Sequence, residues 1–111
     1  TMATRTFGNG SNSFTVTGLL NGDQSSSNLQ ANSGDRTVQV TGTFGAGGTV
    51  IVEGSLDGTN WYQLKDTGGT LISFTAAGLK SVLEYTTHIR FRVTAGDGTT
   101  NLVGTLASRE R

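Results

Sequence analysis

The chain contains 111 residues, enough for one small domain, and its 8 basic and 8 acidic residues give a formal net charge of zero. This balance argues against binding to nucleic acid or to an anionic membrane surface, because such proteins normally carry an excess of Lys and Arg. The absence of Cys excludes disulfides and thiolate metal sites, and a single His excludes multi-histidine metal centres. Gly, Thr and Ser together supply 46 residues, which favours a β-rich domain with many tight turns.

The first third of the chain is polar and weakly patterned. Residues 1–12 are predicted to form a polar arm, and short strands are expected at Arg5–Phe7 and Ser13–Leu20. Residues 21–35 are rich in Ser and Asn, which predicts a long loop with a short edge strand around Leu29. We expect the arm and the loop to dock on a neighbouring molecule, since flexible segments gain order on binding.

Apolar and polar residues alternate with a period of two in the middle of the chain, and this pattern predicts strands. One strand is predicted at Arg36–Phe44 and the next at Thr49–Leu56, after a glycine-rich turn. Each strand has apolar side chains on one face: Val38, Val40 and Phe44 in the first, Val50, Val52 and Leu56 in the second. The segment Asp57–Asn60 then predicts a hairpin, because Asp and Gly accept turn dihedral angles that other residues avoid.

The remaining segments also favour strands. They are predicted at Trp61–Leu64, Thr70–Thr75, Thr87–Ala95 and Asn101–Ala107. The segment Ala76–Tyr85 fits either a strand or a helical turn with Leu79, Val82 and Leu83 on one face. About eight short strands separated by turn signals predict an all-β fold, an antiparallel β-sandwich of jelly-roll-like form. It is expected to occupy residues 13–111 as a single domain.

No assembled catalytic site is expected. His88 lies on the outward face of a predicted strand, and the chain has no Gly-x-Ser-x-Gly elbow that would support a serine triad. Glu53 and Glu84 are expected to point outward from strands rather than to face each other across a cleft. Asp57 and Asp97 each open an Asp-Gly-Thr turn, and we interpret them as turn formers rather than as calcium ligands. We therefore expect a protein that is not an enzyme and has neither a metal nor a cofactor.

Two pairs of residues leave alternatives open. Arg90 and Arg92 share one strand face, where they either bind acidic groups of a partner or pair with a cross-strand carboxylate such as Glu53. Trp61 and Tyr62 are adjacent on a predicted strand, so one is expected to point inward and the other outward. An outward ring would form a stacking platform for a sugar, which makes both Trp61 and Tyr62 candidate glycan-binding residues.

Stability considerations favour an oligomer. A domain of this length buries only about two-thirds of its unfolded surface, and 17 glycines raise the entropic cost of folding. With neither a disulfide nor a metal, oligomerisation or docking on a larger assembly is the expected additional source of stability. No apolar run approaches the roughly 20 residues of a membrane-spanning helix. No secretory signal is recognisable, so synthesis in the cytoplasm is expected.

Several segments carry a resemblance to known proteins. The hairpin segment Gly54-Ser-Leu-Asp-Gly-Thr-Asn-Trp-Tyr-Gln-Leu64 is similar to turn sequences in small β-sandwich domains, including discoidin-like sugar-binding modules. Thr-Val-Gln-Val-Thr-Gly-Thr-Phe at 37–44 precedes it, and the segments at 72–79 and 88–100 follow. In this order, residues 36–107 resemble small virion proteins of tailed bacteriophages and prophages that decorate or cement the capsid.

The resemblance implies a homotrimeric β-sandwich that binds the major capsid protein at the virion surface, with no nucleic-acid or membrane partner. Candidate interface residues lie in the arm and on outward strand faces: Arg5, Phe7, Tyr62, His88, Arg90 and Arg92. The main alternative is a carbohydrate-binding module on a phage fibre or a cell-surface protein, with Trp61 or Tyr62 as the stacking residue. A further alternative is a neck, tail or baseplate component of the same particle.

Overall fold

A computed structural model describes residues 4–7, 12–25, 28–29 and 35–109, including the side chains of residues 15–25 and 36–107. All regular elements within these ranges are β-strands, and none of the described residues form a helix that could cross a membrane. The ten strands are β1 (Thr4–Phe7), β2 (Asn12–Leu19), β3 (Asn28–Leu29), β4 (Asp35–Thr43), β5 (Thr49–Ser55), β6 (Tyr62–Gln63), β7 (Ser73–Phe74), β8 (Gly78–Val82), β9 (His88–Ala95) and β10 (Asn101–Arg109).

The strands form two antiparallel sheets. The first sheet has the order β1-β2-β10-β4-β8, and the second has the order β3-β9-β5-β6, with β7 also paired to β5. The predicted all-β sandwich is thereby confirmed. Its two strands beyond the expected eight are β3 and β8, for which the sequence also allowed a loop and a helical turn.

Apolar side chains from both sheets meet in one core. Its buried members are Val16, Leu19, Val38, Val40, Val50, Val52, Leu64, Ile72, Phe74, Val82, Ile89, Phe91, Val93, Leu102 and Leu106. The inward positions predicted for Val38 and Val40 in β4 and for Val50 and Val52 in β5 are confirmed by this set. The two sheets approach closely where the ring of Phe91 packs on Gly104, since a Cβ atom at Gly104 would lie only 2.8 Å from ring carbons.

Three apolar residues do not occupy the positions that the sequence predicted. Leu56 is 71% exposed, because β5 ends at Ser55 and the chain turns away before the alternation reaches the next inward position. Leu79 and Leu83 are also exposed, whereas Val82 is buried. The helical-face interpretation of this segment is wrong, since β8 alternates with the period of a strand.

A short ladder links the two sheets beside β8. Lys65 pairs with Leu71, and Asp66 pairs with Val82 of β8. The backbone N–H of Leu83 also donates to the carbonyl oxygen of Lys65 at 2.8 Å. The segment after β6 therefore joins the second sheet to the edge of the first sheet, which shapes the surface on this side of the sandwich.

The predicted loop at residues 21–35 contributes to the opposite edge of the second sheet. Ser25 N–H donates to the carbonyl oxygen of Phe91 at 2.9 Å, and Val93 N–H donates to that of Asp23 at 2.8 Å. The expected edge strand around Leu29 is present as β3, which pairs with β9. Residues 26–27 and 30–34 lie outside the described residues.

The predicted arm at residues 1–12 contains β1, which pairs with β2 of the same chain in an antiparallel ladder. The expected strand at Arg5–Phe7 is thus confirmed as an edge strand of the first sheet. Residues 1–3 and 8–11 lie outside the described residues, so docking of the remaining arm on a neighbour stays a prediction.

Candidate functional site

A buried carboxylate, Glu53, organises the outer face of the second sheet. Its side chain is 8% exposed and lies directly opposite Arg90 in the β5–β9 ladder. Arg90 donates from Nε to Oε1 at 2.8 Å, and its Nη2 lies 2.8 Å from the same oxygen. Arg92 donates from Nη1 to Oε2 at 3.3 Å. Glu53, Arg90 and Arg92, here called the ionic cluster, confirm the predicted cross-strand pairing of the arginine doublet with a carboxylate.

Trp61 packs on the ionic cluster rather than in the core. The guanidinium carbon of Arg90 lies 4.1 Å from the indole centroid, a cation–π geometry. The ring of His88 meets the indole edge-on, with centroids 6.2 Å apart at 77°. Tyr62 is 71% exposed, so neither of the two adjacent aromatic rings enters the core. The expectation that one of them points inward is wrong, because β6 is only two residues long and lies at the edge of its sheet.

His88 connects the ionic cluster to the turn that follows β5. Its Nδ1 lies 3.0 Å from the hydroxyl of Thr87, and its carbonyl oxygen accepts a hydrogen bond from Thr86 Oγ1 at 2.7 Å. A Cβ atom at Gly58 would lie 3.2 Å from Nε2 of the imidazole. The histidine therefore packs between Trp61 and the turn, consistent with a surface position on its strand.

A groove of about 520 Å³ opens beside β6. It is lined by residues 54–57 and 60, by residues 62–65 and by residues 84–86. Three of the lining side chains are large and exposed: Leu56, Tyr62 and Tyr85. We call this surface the tyrosine groove. The ladder that joins the segment after β6 to β8 brings Tyr62 and Tyr85 onto the same concave surface.

The floor of the groove rests on Arg36, which is 2% exposed. Its guanidinium carbon lies 4.4 Å from the centroid of the Tyr85 ring, and its Nη1 donates to Thr86 Oγ1 at 3.2 Å. A second guanidinium nitrogen donates to the carbonyl oxygen of Thr86. Burial lowers the pKa of Arg36 from its usual value, and the neighbouring Tyr85 opposes this shift.

Sequence reasoning missed both Arg36 and Tyr85. Arg36 stands two residues before Val38, so the alternation of β4 places its side chain on the inward face. This alternation was the signal that could have identified it. Tyr85 carries no local signal, since it follows a strand that the sequence did not separate from a helical turn.

The charged groups beside the groove have partners within the protein. Lys65 donates from its backbone N–H to Glu84 Oε1 at 2.8 Å, and its Nζ lies 3.4 Å from Oε2 of the same carboxylate. Asp57 Oδ2 accepts a hydrogen bond from Asn60 Nδ2 at 2.8 Å. The groove therefore combines exposed rings with a rim on which Lys65 and Glu84 neutralise each other and Asp57 stays anionic.

The two Asp-Gly-Thr turns are fixed by their aspartates. Asp57 Oδ1 accepts hydrogen bonds from the backbone N–H groups of Asn60 and Thr59, and these bonds hold the pKa of Asp57 below its usual value. Hydrogen bonds from the Thr99 hydroxyl and from nearby backbone groups lower the pKa of Asp97 to about 2. Both aspartates therefore hold their turns through hydrogen bonds, as expected of turn-forming residues. Among the described residues no three His, Cys, Asp or Glu side chains converge as they would to hold a metal ion.

The middle of the outer face of the first sheet is built from uncharged side chains. Residues paired across its strands form two rows, Thr15–Thr105–Gln39–Leu79 and Ala107–Thr37–Ser81. The hydroxyls of Thr15 and Thr105 lie 3.3 Å apart, within hydrogen-bonding range. We call these two rows the threonine face.

The predicted interface residues fall in three places. His88 and both arginines of the ionic cluster share the outer face of the second sheet, whereas Tyr62 lines the tyrosine groove. Arg5 and Phe7 belong to β1, and their side chains lie outside the described part of the chain. Of the two glycan-stacking candidates, only Tyr62 lines the groove.

Comparison with known proteins gives a structural match. The sequence matches no protein-family profile and no curated protein. The fold is similar to that in the crystal structure of the SPBc2 prophage-derived protein YomS, with a TM-score of 0.63. The alignment covers 97% of this chain and 96% of that chain at 15% sequence identity, a level at which the likeness concerns the fold alone.

Proposed function

We propose that the chain is a structural protein of a tailed-bacteriophage particle, which binds the assembled capsid through non-covalent contacts and stabilises it. The observation that carries this proposal is the fold shared with a prophage-derived protein over 97% of the chain. The resemblance of residues 36–107 to decoration proteins supports the same assignment. Under this proposal the chain is not an enzyme, needs no cofactor, and resides on the capsid surface after synthesis in the bacterial cytoplasm.

The outer face of the second sheet is the proposed contact with the major capsid protein. Protein–protein contacts concentrate their binding energy in Trp, Tyr and Arg, and this face carries Trp61 together with Arg90 and Arg92. Arg92 is 49% exposed, which leaves part of its guanidinium accessible to a partner. Glu53 holds both guanidiniums in place, so less side-chain entropy is lost when the face is covered.

The proposed mechanism is linkage between binding and the state of the shell. A protein that binds the expanded capsid but not its precursor stabilises the expanded state through its differential affinity. The effect is multiplied over many copies on one particle. Trimerisation would place three identical faces around a local symmetry point of the shell.

The proposal is tested by co-sedimentation with purified, expanded heads of the phage whose genome carries the chain, together with the solution mass from light scattering. We expect saturable pelleting with heads and a mass three times the 11.5 kDa of one chain. A chain that stays in the supernatant would contradict the proposal. Pelleting with isolated tails instead of heads would reassign the chain to the neck, tail or baseplate.

A further inference from the structure

The tyrosine groove exposes an unusual amount of apolar side chain on one concave surface. Tyr62 and Leu56 are each 71% exposed and Tyr85 is 44% exposed. Single exposed apolar residues are common on proteins, whereas three that line one groove indicate a binding surface. The volume of about 520 Å³ lies in the range of roughly 300–1,000 Å³ that is typical of small-ligand sites.

The ring of Tyr85 is held before any ligand arrives. The buried Arg36 packs against it at 4.4 Å and is itself anchored to Thr86. The backbone of Tyr62 is fixed in β6, where it pairs with Gly54 of β5. A Cβ atom at position 54 would approach Thr86 Oγ1 to 2.6 Å, so glycine allows this close packing beneath the groove. The fixed ring of Tyr85 loses little conformational entropy on binding.

The charges around the groove disfavour an anionic ligand. Lys65 and Glu84 form an ion pair with each other at 3.4 Å. Asp57 stays anionic, and both of its carboxylate oxygens accept hydrogen bonds from its own turn. An anionic ligand would be repelled by this carboxylate, whereas an uncharged ligand leaves the turn and the Lys65–Glu84 pair intact.

One polar side chain of the lining is fixed beside the groove. Asn60 belongs to the lining, and its Nδ2 donates to Asp57 Oδ2 at 2.8 Å. The amide is therefore held in one orientation, which presents its Oδ1 as an acceptor for a hydroxyl donor. The side chain of Gln63 is not used in this way, because Gln63 lies opposite Glu53 in the β5–β6 ladder, on the face away from Tyr62.

From these features we infer that the tyrosine groove is a binding site for a neutral oligosaccharide. Its sugar rings stack on Tyr62 and Tyr85, and a hydroxyl group of the sugar donates to Oδ1 of Asn60. Trp61 is not part of this platform, because Arg90 packs against its ring at 4.1 Å and the ring lies outside the groove. The inference goes beyond capsid binding, which uses the outer face of the second sheet.

A proline-rich peptide is the other ligand that aromatic grooves commonly accept. Proline lacks a backbone N–H, so a run of prolines would leave the fixed acceptor oxygen of Asn60 unpaired. A sugar supplies hydroxyl donors around each ring and can satisfy this oxygen. The polar atoms of the groove therefore favour the oligosaccharide.

The test uses the full chain on an array of neutral tri- to hexasaccharides built from glucose, mannose, galactose and N-acetylglucosamine, followed by calorimetric titration of the strongest binder. Tyr62→Ala is the principal variant, because an exposed ring is removed without disturbing the core. Tyr85→Ala is the second variant, and Leu79→Ala is the matched control, since Leu79 is 63% exposed on the threonine face. Circular dichroism establishes that each variant is folded, and decaproline serves as the peptide probe.

We expect Tyr62→Ala to weaken binding by roughly tenfold or more, equivalent to about 1.4 kcal/mol, and Leu79→Ala to leave it unchanged. A folded Tyr85→Ala protein is expected to lose affinity to a similar extent. The inference is overturned if the wild-type chain binds no array member, if Tyr62→Ala and Leu79→Ala behave alike, or if decaproline binds in place of the sugars. None of these results bears on co-sedimentation with heads, so the two proposals fail separately.

Discussion

The outer faces of the two sheets differ in the side chains that they carry. On the second sheet, Arg90 and Arg92 both pair with Glu53, so the two arginines depend on the same carboxylate. On the first sheet, the threonine face carries rows of uncharged side chains that depend on few neighbours. Substitutions should therefore be strongly coupled on the ionic face and nearly additive on the threonine face.

The largest difference is expected from a reciprocal pair of isosteric substitutions. Glu53→Gln removes the carboxylate that neutralises two guanidiniums and should lower the free energy of unfolding by about 2–4 kcal/mol. Gln39→Glu adds a charge to the exposed threonine face and should change it by less than about 0.5 kcal/mol. Urea unfolding of both variants measures the two values, and equal losses would show that the faces do not differ as described.

The next largest effect is expected where Phe91 of the second sheet packs on Gly104 of the first sheet. Gly104→Ala places a methyl group 2.8 Å from ring carbons of Phe91, in the middle of the core. Such overpacking should cost about 1–3 kcal/mol. Gly98→Ala is the matched control, because its Cβ would meet no atom within 4 Å and its backbone conformation suits alanine. Similar denaturation midpoints for the two variants would contradict the close approach of the sheets.

The two arginines of the ionic cluster should contribute unequally. Arg90 is 15% exposed, contacts Glu53 through two nitrogens and packs on Trp61, so Arg90→Met should cost about 1–3 kcal/mol. Arg92 is 49% exposed with one contact at 3.3 Å, and Arg92→Met should cost no more than about 1 kcal/mol. The reverse order in chemical denaturation would refute the assignment of Arg90 as the principal partner.

A smaller effect is expected at the turn that carries the chain from the second sheet to the first. Asp97 accepts hydrogen bonds from Thr99 and from the backbone of Ala46, and its pKa in the folded protein is lowered to about 2. A lowered folded-state pKa adds stability above the unfolded value near 3.8, and this contribution is lost as the pH falls towards 2. Asp97→Asn should therefore lower the thermal midpoint at pH 6, and the deficit should shrink as the pH falls from 4 to 2. A deficit that stays constant with pH would contradict this account.

The strands of the core could be predicted from the sequence because their signal is local. Val38 and Val40 alternate with polar residues, as do Ile89 and Phe91, and each pair is buried. The pairing of Glu53 with the arginines was one of two alternatives, and register in the β5–β9 ladder decides between them. Pattern alone did not supply that register.

The tyrosine groove could not be predicted in the same way. It depends on the pairing of Asp66 with Val82, which brings Tyr62 and Tyr85 together across 22 intervening positions in sequence. Arg36 lies beneath the groove at a position where the alternation of β4 predicts a buried apolar residue. Because arginine is charged, sequence reasoning did not place it in the interior. Contacts between segments distant in sequence leave no signature in composition or periodicity.

The most direct test of the proposed function compares capsid occupancy for one truncation on each outer face. Arg92→Ala removes an accessible guanidinium from the ionic face while Arg90 still pairs with Glu53, and Gln39→Ala is its counterpart on the threonine face. In co-sedimentation with expanded heads, we expect Arg92→Ala to reduce the bound amount and Gln39→Ala to match the wild-type chain. Undiminished binding of Arg92→Ala together with loss of binding by Gln39→Ala would place the capsid contact on the opposite face, and absence of wild-type binding would contradict the particle role itself.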